Sequence, residues 1–328
     1  MWQNKKLAPR SILFAVLAIV LMVTAACGKD GAKSGPDGIV AEYDGGKVET
    51  EEFEQYKNMM RFTQGPLYAQ MEMFPDFERN LLNQYIAIKL SAERADASQS
   101  ERARQKAVED WNETKQLYAE QEQEEMLLNQ LEEHGLTEEE LLDFVTMQTK
   151  AMYVYQDQVT DEDVTEMYEE MVKNNELVLA TVRHILIGTK DPFSGETIRE
   201  DEEALKLARE VREKLLAGES FDELAAEYSD DPGSSDNGGR YENVNVNSWT
   251  PAFRDAALEL EIGEISEPIE TPFGYHVMQV EERSVQSLED VRESLEMRMA
   301  SEKLWQFMQE EVPDLITAVY LPEPEQEE

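Results

Sequence analysis

Residues 12–23 form an unbroken apolar run, after which the chain turns polar and glycine-rich through residue 38. Residues 39–48 read as an apolar strand, an Asp44-Gly-Gly46 turn and an apolar return, the pattern of a short hairpin. From residue 50 to 171 apolar side chains recur three and four apart, which predicts helices. Thr50 is placed to cap the first, with Phe53, Tyr56 and Met60 facing inward. A second runs near 77–92 with Leu81, Leu82, Tyr85 and Ile88 on its buried stripe. Residues 99–133 are highly charged, with Trp111, Tyr118 and Leu128 widely spaced, and predict a long helix that is solvated or partly mobile. Thr137 and Glu140 form a capping-box pattern ahead of Leu141, Phe144, Val145 and Met147. Thr160 and Asp163 open another helix, with Val164, Met167, Tyr168 and Met171 on one side.

The period changes at residue 177. Residues 177–187 and 274–280 are apolar and β-branched enough to be buried strands, and they contain His184 and His276. After the first strand, residues 191–195 make a loop. A helix follows, with Ala204, Leu207, Ala208, Val211 and Leu215 on one face. Ser220 and Glu223 then box the start of a helix through Leu224, Ala225 and Tyr228. Residues 228–239 are acidic and turn-rich, a composition that regular elements reject. Thr250 followed by Pro251 is an N-cap with proline at the first helical position, ahead of Phe253, Ala257 and Leu260. Residues 264–269 and 274–280 read as closing strands, so this part predicts a small α/β sheet with helices on its faces. Ser287 and Asp290 cap a last helix striped by Leu288, Val291, Leu295, Met299 and Leu304. Residues 315–320 can add a short strand to the hairpin near Ile39, and residues 321–328 read as a disordered acidic tail. The fold class is α+β.

At 328 residues the chain has room for about two domains. With 71 acidic against 30 basic residues its formal charge is −41, which argues against nucleic acid as a partner and against electrostatic docking on anionic lipid. Cys27 is the only cysteine, so an intrachain disulfide is excluded. Its position says more. Lys5, Lys6 and Arg10 precede the apolar run, and Thr24-Ala-Ala-Cys27 ends it, the layout of a secretory signal over residues 1–26. The run is shorter than the roughly 20 residues needed to cross a bilayer. Residues 27–38 read as a flexible tether.

Three histidines occur in all, and the third, His134, lies in a polar helical region. Taken alone, a strand histidine is a satisfied core group, and Asp231 before Pro232 is a turn initiator. No spaced ligand motif supports a metal, and no cofactor is expected. Met59, Met60, Met71 and Met73, with Phe62, Tyr68 and Phe74, are either core or a soft, adaptable binding groove.

Arg183-His-Ile-Leu186, residues 218–225, Tyr228-Ser-Asp-Asp231, Pro251-Ala-Phe253, Gly263-Glu-Ile-Ser266 and Thr271-Pro-Phe-Gly-Tyr-His276 occur in one order over about a third of the chain. Together they resemble the parvulin, or PpiC-type, peptidyl-prolyl cis/trans isomerases. With the N-terminal features, the whole resembles the PrsA-type foldase lipoproteins of the bacterial cell envelope. The resemblance implies a parvulin domain at 177–284, inserted into a helical, chaperone-like domain at 39–176 that residues 285–320 complete. It implies His184, Asp231 and His276 as catalytic residues. Trp249, Phe253 and Tyr241 become the proline-pocket wall, with Ser229 and Thr271 as peripheral polar groups. Cys27 becomes a lipidated N-terminus, anchoring the protein outside the cytoplasm, with newly translocated proteins bearing X–Pro bonds as clients. A homodimer stays an open alternative.

The sequence departs from the family in places. Thr24 stands where a lipobox carries leucine. Arg240, Tyr241 and Glu242 replace an acidic residue, leucine and glycine, and residues 243–248 are unusually polar. These changes put pocket shape and efficiency in question and favour a rival, a noncatalytic holdase retaining the fold as a binding module. A structural envelope lipoprotein is a third reading.

Overall fold

The computed structural model describes residues 38–191 and 193–321. The expected signal, Cys27, nearly all of the tether and the acidic tail after Leu321 lie outside the described residues. The chain divides into two units, one taken from Asp161–Glu293 and the other from the segments before and after it.

The other unit begins with the hairpin β1 (Ile39–Tyr43) and β2 (Gly46–Glu49), paired antiparallel across the expected turn. Helices α1 (Thr50–Gln64), α2 (Pro66–Met71), α3 (Phe77–Glu93), α4 (Ala97–Ala119), α5 (Glu124–Glu133) and α6 (Glu138–Gln156) follow. Glu49 rather than Thr50 occupies the N-cap of α1, and its amide donates to the Glu52 side chain. The capping box at Thr137 forms as its pattern predicts, with Glu140 N–H donating to Thr137 Oγ1 and Thr137 N–H to Glu140 Oε2. The charged stretch 99–133 is two helices, broken where Glu122 takes a left-handed φ of 58°. It is also less solvated than its charge suggests. Ala103, Ala107, Trp111, Thr114 and Tyr118 form a buried stripe, and α4 packs on α6. Small alanines let two helices approach closely, so the stripe needed fewer large residues to be one. Met59, Met60 and Tyr68 belong to the core, while Met73 and Phe74 are exposed.

The second unit holds α7 (Asp161–Lys173), β3 (Val178–Gly188), α8 (Asp201–Leu216), α9 (Phe221–Tyr228), β4 (Arg240–Asn245), α10 (Pro251–Glu259), β5 (Ile269–Thr271) and β6 (Gly274–Val285). Helix α7, expected with the preceding helices, groups with this unit instead: Tyr168 donates its hydroxyl to the Gln286 carbonyl at 3.0 Å, and Arg292 pairs with Asp161. The sheet is antiparallel throughout, in the order β4-β3-β6-β5. The polar stretch after Arg240 supplies its edge strand, where polar side chains are tolerated. Residues 264–269 are not a full strand. A single bridge joins Ile265 to Gln279, and β5 starts at Ile269. Ser266 takes over there, its Oγ accepting from Met278 N–H at 2.8 Å, and Pro268 has no amide to give a ladder.

Alternation along β3 and β6 sorts their side chains. Ile185, Ile187, Tyr275 and Val277 pack beneath α8 and α9, whereas Val182, Met278 and Val280 pack with Phe253 and Ala257 of α10. His184 and His276 share the parity of the second group and so point to the α10 side.

The chain then returns through α11 (Leu288–Glu310), α12 (Val312–Leu315) and β7 (Ile316–Val319). Ala300, Leu304, Phe307 and Met308 enter the core of the first-described unit, and β7 pairs antiparallel with β1, as the sequence predicts for residues 315–320.

Gly239 is where the acidic loop closes on β3. Its carbonyl accepts from His184 N–H at 2.8 Å, its φ is +73°, and a Cβ there would lie 2.1 Å from the His184 carbonyl oxygen. Both contacts are backbone, so neither relaxes cheaply. Gly239→Ala is expected to lower the unfolding free energy by about 2 kcal/mol or more, read from urea denaturation; a loss within a few tenths would contradict this account.

Candidate active site

The β3–β6 register sets the two histidines diagonally across the ladder, His184 opposite Met278 and His276 opposite Leu186. Their Nδ1 atoms lie 3.1 Å apart, and both rings are buried. The loop after α9 brings the third group. Ser229 Oγ accepts from Leu186 N–H at 3.2 Å, Asp230 N–H donates to the Leu186 carbonyl at 2.8 Å, and the Asp230 carboxylate takes Gly188 N–H and Arg199. These straps deliver Asp231 to His184, with Oδ2 at 3.0 Å from Nε2. Asp231 also starts the turn, Oδ1 accepting from Gly233 N–H at 3.2 Å, so its two readings are compatible.

Three more hydroxyls complete the network. Thr271 Oγ1 is 2.9 Å from His276 Nε2, Tyr241 donates to Asp231 Oδ2 at 2.9 Å, and Ser234 donates to the same oxygen while lying 3.1 Å from His184 Nε2. An ionised Asp231 only accepts, so His184 donates to it from Nε2. With both rings neutral, His184 Nδ1 then accepts from His276, and Thr271, whose hydroxyl also reaches the Gly274 carbonyl, donates to His276 Nε2.

Electrostatics agree with that arrangement. Burial pushes the Asp231 carboxyl up, but hydrogen bonds from His184 and Ser234 outweigh it and hold the carboxyl well below the usual range. Burial, and then the neighbouring His184, push the His276 imidazole down to about 3. Burial and the Asp231 charge push the Tyr241 phenol up to about 12. At neutral pH the site holds an anion, a neutral His276 and a protonated phenol.

Aromatic rings wall the network. The Tyr241 ring stacks on His184 at 5.3 Å, and Phe253 meets His184 and His276 edge-on at 5.2 and 5.0 Å. Trp249 packs edge-on against Phe253 at 5.1 Å and remains half-buried. The structure therefore brings together His184, Asp231, His276, Thr271, Tyr241, Phe253 and Trp249. Ser229 is at the loop's root, bonded to backbone rather than to the histidines or the Asp231 carboxylate. Ser234 was missed by sequence reasoning; its spacing three residues after a turn-forming aspartate was the available signal. Among the described residues no set of three histidine, cysteine or carboxylate side chains converges on a metal.

Residues 165–284 match the family model of the PPIC-type PPIase domain. Over 94% of this chain and 94% of its own length, a foldase protein PrsA of Caldanaerobacter subterraneus is 27% identical. A chaperone SurA of Chromohalobacter salexigens is 41% identical over 39% of this chain, a match that spans only 30% of the SurA. A solved PrsA of Bacillus anthracis superposes at a TM-score of 0.37 with 24% identity, covering 71% of this chain and 96% of that one.

The neutral state of His276 gives the stability a pH dependence. Below about pH 6.5 the unfolded chain binds a proton that the folded imidazole refuses until about 3. Its contribution is whole above 6.5 and drains away as pH falls. Unfolding free energy should fall across that window with a slope of up to about 1.4 kcal/mol per pH unit from this residue, and His276→Gln should lose that share. Equal slopes in parent and variant would remove His276 as the cause.

Proposed function

We propose that this chain, which belongs through residues 165–284 to the PPIC-type PPIases, is a peptidyl-prolyl cis/trans isomerase and folding chaperone working on proteins outside the cytoplasm. The observation that carries the reading is the buried His184–His276–Asp231 network with an aromatic wall beside it.

Rotation about an X–Pro bond faces a barrier of about 18–20 kcal/mol set by amide resonance. The twisted amide separates less charge than the planar one, so moving it from water to an apolar wall favours it. In this reading Phe253, Trp249 and the Tyr241 ring receive the proline ring, and Asp231 stands beside the susceptible carbonyl. The two histidines fix its place. No bond is broken, so neither nucleophile nor metal is called for.

The chaperone part draws on the relatives' names and on the exposed Leu67, Met73 and Phe74 in the helical unit, apolar side chains available to unfolded chains. Location draws on the N-terminal sequence: a signal over 1–26, lipid on Cys27, and the 27–38 tether holding the protein to the membrane. Clients are then newly translocated chains with X–Pro bonds.

Exchange spectroscopy on a short X–Pro peptide tests the chemistry. The parent is expected to accelerate cis/trans exchange, and a folded Asp231→Ala, His276→Ala double variant to lose at least tenfold of it, about 1.4 kcal/mol of barrier. No acceleration from a folded parent, alongside suppression of client aggregation, would replace the isomerase with a holdase. Separately, Cys27→Ala should move the protein from the membrane fraction to the medium or soluble fraction; membrane retention of the variant would defeat the lipid anchor.

A further inference from the structure

Tyr241 stands where the family carries leucine, yet its ring is not merely a substitute wall. The hydroxyl reaches 2.9 Å from Asp231 Oδ2, and the ring lies nearly parallel to His184, at 21°. Asp231 Oδ2 thus receives three donors from three places: Nε2 of His184 on β3, the hydroxyl of Ser234 in the loop, and the phenol of Tyr241 on β4. Gly233 makes room for the phenol. A Cβ at Gly233 would fall 2.6 Å from the Tyr241 oxygen, although its backbone is not in the left-handed region.

We propose that Tyr241 is a positioning residue whose hydrogen bond fixes Asp231 as the accepting end of the histidine relay and thereby governs the pH at which the site takes up its first proton. Three donors neutralise much of a buried carboxylate's charge. With one removed, the charge is less satisfied. The carboxylate then holds a proton more tightly and also attracts one more strongly onto the imidazole pair, so either route admits the first proton at higher pH.

Among the described residues, few titratable groups face Asp231. His184 on β3, His276 on β6 behind it, and Tyr241 on β4 account for the sheet, while α10 presents the uncharged Phe253. Asp230, beside it in the loop, is turned onto Arg199 and the Gly188 amide. Arg183 and Arg240 are occupied by Glu281.

The proposal leans on the isomerase reading only for its kinetic consequence, and the experiment separates the two. Ring nitrogens of 15N-histidine in the full chain give three resolvable sites, with His134 as an internal control of fold. Tyr241→Phe keeps the ring and removes the donor. Gly233→Ala keeps the phenol and pushes its oxygen away. Both are expected to raise the first protonation of the His184–His276 pair by about one pH unit, and the acid limb of any X–Pro exchange activity with it. In an Asp231→Asn background Tyr241→Phe should produce no shift. An unmoved titration in a folded Tyr241→Phe protein would overturn the proposal. A shift seen in a protein that does not accelerate X–Pro exchange would support the proposal and count against the isomerase reading alone.

Discussion

The antiparallel ladder between β3 and β6 is the constraint on which the candidate site depends. Its register runs from Val178 against Val285 to Gly188 against Gly274, with one irregularity near Thr181. Within it, alternation selects the face and register selects the offset, and together they put two imidazole nitrogens 3.1 Å apart. A slip of one residue on either strand would move one ring to the α8–α9 side and end the contact. Branched residues on both faces of β3 resist that slip, because each has a helix to pack against.

The charged departures in β4 are absorbed by structure. Arg240 lies opposite Arg183 in the ladder, which would repel, but the Glu281 carboxylate accepts from both, at 2.6 Å from Arg183 and 2.8 Å from Arg240. Arg183 is adjacent in sequence to His184 and therefore turned to the other face. The edge strand is held by ion pairs on one side and by the Tyr241 contacts on the other.

Much of this was legible in the sequence, and the reasons are uneven. The buried strands announced themselves through branched runs, the hairpin through Asp44-Gly-Gly46, and the β7 addition through an apolar segment near the end. The helix at Thr137 was legible because a capping box has a fixed spacing. The α4 stripe was not, because alanine counts for little in an apolar pattern yet packs closely. The short β5 was misjudged since a serine and a proline replaced ladder bonds, which composition does not rank. At the site, His184, His276 and Asp231 were drawn together by order along the chain and by resemblance. The Tyr241 hydroxyl bond could not be read, because it depends on the absence of a Cβ at Gly233. Ser229 is peripheral in a way its motif could not specify, since its hydroxyl accepts from the Leu186 and Asp231 amides rather than from a side chain.

Both units are closed by late segments. His276 follows His184 by 92 positions, and β1 waits for β7, which begins at Ile316. A chain emerging N-terminus first would therefore display a hairpin with one open edge until β7 appears, and a half-built sheet between the emergence of β3 and that of β6. Neither could close until nearly the whole polypeptide was through. Such long-range closure carries a loop-entropy cost and delays folding. A protein organised in this way must wait for a late strand before either unit is complete.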